Sequence, residues 1–343
     1  MDQESITKGL ISGIVDHYIR EIAQDPHRSI RKLLDMAERT SDGPTQKICY
    51  QMMQKMAENQ SSPYYEMIHR LVTGTDPETI KQFGINLGRN AWTFGSGNIR
   101  RLIAQNGVSI PWVVIIDRQK TAERIPFPEI EKLIDRGRKM DVYAWMFISP
   151  SSLDEWEEYA AVIRSHADCV FGLCTLPNAL TEDILEEAAD LPNLMFLLNT
   201  DEPDWQLCAG RLSAKRLLYS ACRFVRNRSQ AEEILNGSWL EELQSCHPLM
   251  AFSIAADSLP VETARAVKEY MWRTRLDQVY PVLPSDLISD FVIINHLVTH
   301  RDILYRVNPD GSVSEANELQ FQPVTLHHTD LFGTAGMVPG VPK

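Results

Sequence analysis

Hydrophobic positions recur at helical spacing through the first 85 residues. Ile6, Leu10 and Ile14 lead into the apolar positions of 17–22, and Ile30, Leu33, Leu34 and Ala37 continue the period. Ile48, Met52, Met53 and Met56 form a third stripe, and Tyr64, Met67, Ile68 and Leu71 a fourth. Turn chemistry separates the stripes at Asp25-Pro26, Ser41-Asp42-Gly43-Pro44, Ser61-Ser62-Pro63 and 74–77. Methionines at this spacing read as helix core.

From residue 111 the texture changes. Pro111-Trp112-Val113-Val114-Ile115-Ile116-Asp117 is a short continuous apolar run, the mark of a strand buried on both faces. Helical spacing over 127–140 follows, then strand 142–149, helix 153–165, strand 169–175, helix 181–189 and strand 194–200. The pattern next predicts helices over 210–225 and 230–245, a strand at 249–256, a helix at 260–277 and a strand at 279–283. Strands alternating with helices predict a parallel sheet with right-handed crossovers. With no Gly-rich first loop, the fold class is α/β of barrel type rather than a dinucleotide-binding sheet. Residues 303–307 and 312–313 flank Asn308-Pro309-Asp310-Gly311 and read as a β-hairpin. Residues 320–343 show little periodicity.

Charge divides the chain. Residues 1–110 carry 13 Lys/Arg against 12 Asp/Glu, and residues 111–343 carry 21 against 34, for a net charge of −12. An acidic surface repels phosphate backbones and argues against nucleic acid as a partner. No apolar run approaches the roughly 18 residues of a membrane helix, and the start MDQESITKGL lacks the form of a secretory signal. A cytoplasmic location with no membrane partner is the expectation. The six cysteines, at 49, 169, 174, 208, 222 and 246, show no CxxC spacing and read as reduced, buried residues.

Ligands of parallel barrels bind at the C-terminal strand ends. Those ends carry Asp117, Ser149, Cys174, Thr175, Asn199, Thr200, Asp201 and Asp257. Asp117 and Asp201 are the catalytic candidates, because two carboxylates at one mouth form an acid/base pair if their pKa values diverge. Ser149, Thr175, Asn199, Thr200 and Asp257 are candidate ligand contacts, and Arg118, Lys120 and Arg124 candidate anion contacts. His296 and His300 have helical i, i+4 spacing but lack the intervening Glu of a zincin, and His327-His328 reads as a surface pair with diverging rings. No metal site is assigned. Gly95-Ser96-Gly97 reads as a tight turn between helices, and Glu155, Glu157 and Glu158 as a solvated helix face.

The stretch GINLGRNAWTFGSGNIRRLIAQNGVSIPWVVIID resembles the entry to the barrel in a group of bacterial radical S-adenosylmethionine (radical SAM) enzymes. The resemblance continues through 127–141, 175–183 and 194–201, and returns at LISDFVIINHL and the hairpin after it. It implies an all-helical N-terminal domain over 1–110, a partial (βα)6 TIM-like barrel over 111–300, and a SPASM-like hairpin and tail over 301–343. Three signatures of the family are missing. The loop after the first strand, where three thiolates of a CxxxCxxC motif hold the cluster, reads Asp117-Arg118-Gln119-Lys120-Thr121-Ala122-Glu123-Arg124-Ile125-Pro126. Phe147-Ile148-Ser149-Pro150-Ser151-Ser152 replaces a GGEP-like turn, and Val313-Ser314-Glu315-Ala316 stands where SPASM cysteines begin.

The resemblance therefore implies a degenerate relative with no iron–sulfur cluster and no productive S-adenosylmethionine binding. Such a pseudoenzyme, without radical SAM activity of its own, acts through protein–protein interaction. It would be a partner, scaffold or substrate-presenting subunit for a cysteine-intact radical SAM enzyme, or would bind that enzyme's peptide substrate. The alternative is a repurposed barrel enzyme or small-molecule-binding protein that uses the polar strand ends.

Overall fold

A computed structural model describes residues 3–40, 44–107, 109–119, 124–149 and 152–332. Lys120 lies outside the described residues. Five helices open the chain: α1 (Gln3–Gln24), α2 (Pro26–Thr40), α3 (Pro44–Glu58), α4 (Pro63–Gly74) and α5 (Pro77–Ile85). Proline begins four of them, where the missing N–H costs nothing, and the Ser62 and Asp76 side chains cap α4 and α5. Tyr18, Ile22, Ile30, Ala57, Tyr65 and Val72 form a small core of their own.

Beyond α5 the helix does not break. A π-helical segment, Asn86–Gly95, runs directly into α6 (Ser96–Asn106). The expected turn at Gly95-Ser96-Gly97 is therefore absent. Gly95 is there because a Cβ would lie 2.5 Å from the Asn90 carbonyl and 2.7 Å from that of Asp141, so packing selects it. Asn86 and Asn90 donate to the carbonyls of Ala167, Cys169 and Asp168, which ties this helix to the base of the sheet.

The α/β part runs β1 (Val113–Asp117), α7 (Phe127–Arg138), β2 (Ala144–Ile148), α8 (Trp156–Ser165), β3 (Val170–Thr175), α9 (Glu182–Ala188), β4 (Leu194–Asn199), α10 (Trp205–Ala214) and β5 (Tyr219–Val225). It continues with α11 (Arg228–Leu235), α12 (Ser238–Leu243), β6 (Met250–Ala255), α13 (Val261–Asp277), β7 (Leu283–Asp286) and α14 (Leu287–Thr299). The chain then adds β8 (Tyr305–Val307), β9 (Ser312–Ala316) and β10 (Phe321–His327).

The sheet has ten strands in the order β10-β9-β8-β1-β2-β3-β4-β5-β6-β7. β1 to β7 lie side by side in chain order and all parallel, and β8 joins parallel to β1. β9 and β10 complete an antiparallel hairpin extension. Chain-order parallel pairing without a switch point is the connectivity of a barrel. The sheet curls far enough for Arg306 on β8 to reach Asp257, which follows β6, at 2.6 Å. It does not close by strand pairing: α14 spans the gap. Phe291 on α14 packs edge-on against both Trp112 before β1 and Phe252 on β6, and Asn295 accepts from the Trp112 amide at 2.9 Å.

Two expectations change here. The helix over 210–225 ends at Ala214, and 219–225 is β5. Leu217, Leu218, Ala221, Cys222 and Val225 mimic a helical stripe because a strand buried on both faces has no alternation to show. The break falls at Arg216, in the left-handed region at φ 56°, with no glycine or proline to announce it. The strand expected at 279–283 instead starts at Leu283, in Leu-Pro-Ser-Asp, a sequence tolerated at a sheet edge because β7 pairs with β6 alone. Among the described residues no helix is long and apolar enough to cross a membrane.

Candidate functional site

Register decides which side chains face the hollow of the curled sheet. Residues paired across parallel strands share a face, and the period is two. Asp117 pairs with Ile148, Ile148 with Cys174 and Cys174 with Leu197, so these four point one way. The same side collects Ile115, Phe224, Ile254, Arg306 and Ser314. The opposite face carries Phe147 and Arg223, which meet Tyr159 of α8 and Trp239 of α12. The first set therefore lines the concave side.

At the C-terminal strand ends of that side lies a cleft of about 580 Å³. Its floor is Ile115, Ile148, Phe224, Ile254, Leu287 and Ile288, and its rim holds Asp117, Arg226, Asp257, Arg306, Asn308 and Asp310. The β9–β10 extension supplies the far wall through Ser312, Ser314, Phe321 and Pro323. A half-apolar concavity of this size with a few fixed polar groups matches an organic ligand site.

The rim is held in place. Arg306 grips Asp257 with both terminal nitrogens, at 2.6 and 3.3 Å, donates from Nε to Asn308 Oδ1 at 3.1 Å, and lies over the Phe321 ring at 4.5 Å. Asn308 donates onward to the hydroxyls of Ser312 and Ser314. Arg226 rests 5.1 Å from the Phe224 ring centre and pairs with Asp201 at 3.0 Å. Gly311, at φ 86°, lets the hairpin turn pass beneath His327 and His328, whose nitrogens a Cβ would meet at 2.4 and 2.6 Å.

The sequence candidates divide. Asp117 and Asp257 line the cleft. Asp201 lies behind its rim, in ion pairs with Arg223 at 3.3 Å and Arg226 at 3.0 Å, and is not brought into the cleft beside Asp117. Asn199 accepts from the Asp201 amide. Thr200 accepts from the Trp239 indole at 2.9 Å on the helical side of β4. Thr175 is buried on that same side with its hydroxyl unbonded, and Ser149 is buried beyond β2.

Arg118 and Arg124 are not anion contacts. Arg118 is 1% exposed, with Nε on Tyr159, Nη1 on the Ile125 carbonyl and Nη2 on Glu155, and its guanidinium lies 4.1 Å from the Phe127 ring. Arg124 also meets Glu155, at 2.9 Å, so that residue is an ion-pair hub rather than a solvated helix charge. The two i, i+4 histidines separate because α14 ends between them. His296 pairs with Asp302 at 2.7 Å, and His300 is a left-handed cap at φ 59°. His327 and His328 do not diverge: the register shift between Pro323 and His327 brings their ring centres within 4.3 Å, and His328 is buried.

Sequence reasoning missed Arg226, Arg306 and Asn308 at the rim. A charged residue between Tyr305 and Val307, in a strand with both neighbours buried, is the signal that marks Arg306.

No cysteine is among the residues that line the cleft. The loop leaving β1 carries no cysteine. The thiols on the concave face, Cys174 and Cys222, are 2% and 0% exposed and point at each other across β4, 3.2 Å apart. Burial and the neighbouring thiol push Cys222 well above the ordinary thiol range. Thiol ligands of iron must be reachable, and neither of these is exposed.

Below the cleft, β7 hands over to α14 through Asp286, which caps the helix by accepting from the Ser289 amide at 3.1 Å and from Ser253 Oγ at 3.0 Å. Burial raises its carboxyl to about 6. Beside it, Arg275 holds Asp290 in a two-pronged ion pair, at 2.7 and 2.9 Å.

No protein-family model matches the chain, and no curated protein does. Among solved structures, SuiB of Streptococcus suis overlaps 62% of this chain and 62% of its own, at 10% identity and TM-score 0.46. SuiB bound to S-adenosylmethionine overlaps 70% of each chain, at 10% identity and TM-score 0.48. Human mitochondrial enolase superfamily member 1 overlaps 96% of this chain and 81% of its own, at 11% identity and TM-score 0.34. The chain thus spans about 62% of the SuiB structure.

Proposed function

We propose that this protein is a cluster-free relative of the radical SAM enzymes that holds an organic ligand in its strand-end cleft. It acts in the cytoplasm as a non-catalytic, ligand-presenting partner of a cysteine-intact enzyme of that group. The observation that carries the reading is the cleft itself: an apolar floor where cluster chemistry would need thiolates, beneath a rim fixed by ion pairs. The sequence resemblance supports the lineage, and chain-order parallel strands agree with it. No acid/base step is assigned, because the two candidate carboxylates are not brought together at the rim.

Ligand binding is tested by thermal shift against a library of small organic acids, amines and short peptides, using wild type, Arg306→Ala and Ser312→Tyr. Arg306→Ala removes the fork that holds Asp257, and Ser312→Tyr fills the cleft from its far wall. A compound class that raises the wild-type melting temperature and loses its effect in both variants supports the reading. No stabilising class, or equal stabilisation of all three proteins, refutes it.

A further inference from the structure

A second concavity, of about 670 Å³, lies between α1 and α2, far in sequence from the cleft. Tyr18 and Met36 form its floor, and Arg28, Arg31, Lys32 and Arg39 stand around it. These cations fall at i, i+3, i+4 and i+11 along α2, one exposed stripe running about 16 Å. Lys32 is tied to Glu21 at 3.2 Å and Asp35 to Gln54 at 2.9 Å, whereas Arg28, Arg31 and Arg39 meet no carboxylate among the described residues.

Asp25 caps α2, its carboxylate accepting from the Arg28 amide at 3.1 Å, and Arg31 donates from Nε to the His27 carbonyl at 3.0 Å. Neither bond neutralises a guanidinium, so an anion seated on the stripe would pair three charges that no side-chain carboxylate among the described residues meets.

We propose that this groove docks an acidic, amphipathic peptide segment of a partner protein. Carboxylates would meet the arginines and an apolar side chain would lie on Tyr18 and Met36. Long polyanions fit poorly because the stripe is short, about 16 Å, and a phosphate backbone or an anionic membrane extends far beyond it, whereas a short peptide segment need not. The groove gives chemistry to the partner named above, but it rests on α1 and α2 alone and does not need the cleft.

The test uses the full chain and a fluorescein-labelled peptide of glutamates with leucines at helical spacing, followed by anisotropy at low salt. Binding is expected, and it weakens at least tenfold in the triple variant Arg28→Glu, Arg31→Glu, Arg39→Glu. The corresponding Arg→Lys triple variant restores most of it. The same peptide with lysine for glutamate does not bind. Equal affinity for the Glu triple variant overturns the proposal. So does tighter binding of an oligothymidine or a phosphatidylserine vesicle than of the peptide. All three arginines are exposed, so both triple variants keep the wild-type melting temperature and the wild-type response to cleft ligands. Loss of peptide binding with that response intact therefore separates this docking site from the cleft.

Discussion

Asp286 is the most exacting place to test how the cleft is supported, because it caps α14, whose first residues, Leu287 and Ile288, form part of the floor. Its carboxyl rises from 3.8 to about 6 as burial strips water from the charge. Between those values the folded chain holds a proton that the unfolded chain has lost. Stability therefore falls as pH rises through about 4 to 6, and the full cost stands above that window. About two units correspond to roughly 3 kcal/mol at neutral pH. Asp286→Asn removes the charge and keeps the geometry. Its carbonyl oxygen still accepts from the Ser289 amide, and its amide donates to Ser253 Oγ, which donates in the wild type. Asparagine caps helices about as well as aspartate, and losing the charge–dipole attraction takes back about 0.3–1 kcal/mol. The variant should be more stable by about 2 kcal/mol at pH 7.5, with the gap closing by pH 4. Urea denaturation followed by tryptophan fluorescence at several pH values measures it. A variant less stable than wild type at pH 7.5, or a gap that does not change with pH, would show that the buried charge is not the source of the cost.

Two further outcomes follow from packing and burial. Gly137→Ala should destabilise by about 1–2 kcal/mol despite alanine's better helix propensity, since its Cβ would lie 2.6 Å from the Trp145 ring, whereas Gly210→Ala, with nothing within 4 Å, should stabilise by up to ~1 kcal/mol; thermal melts compare the two. In native protein near pH 8, Ellman's reagent should leave Cys169, Cys174, Cys208 and Cys222 unmodified, because all four are buried and Cys208 is pushed up to about 11; peptide mapping that finds any of them labelled within minutes contradicts the burial described.

The parts of the fold that were legible in the sequence are those where one period dominates. β1, α7, β3 and α13 stand within a residue or three of the expected bounds because a run such as Val113–Asp117 has a single reading. β5 was illegible because its apolar run follows that of α10 with only Arg216, and no glycine or proline, to mark the break, and β10 because its exposed Gln322, Pro323 and Thr325 interrupt any apolar rhythm. Its partner is β9, and pairing of that kind is not written in local sequence. The site follows the same rule. Asp117 and Asp257 are visible as strand-end residues. Arg306 and Asn308 reach the rim only because a strand distant in sequence inserts beside β1. Arg118 misled because a buried guanidinium and a ligand-binding one share the same letter. Only Tyr159, Glu155 and the Ile125 carbonyl around it tell them apart.

The central claim is that the strand-end cleft holds an organic ligand without a cluster. Anaerobic reconstitution of the folded protein with iron and sulfide, then desalting, iron and sulfide analysis and calorimetry with S-adenosylmethionine, tests it most directly. The account predicts that iron and sulfide wash away and that S-adenosylmethionine gives no saturable heat. A retained iron–sulfur cluster that binds or cleaves S-adenosylmethionine would contradict it.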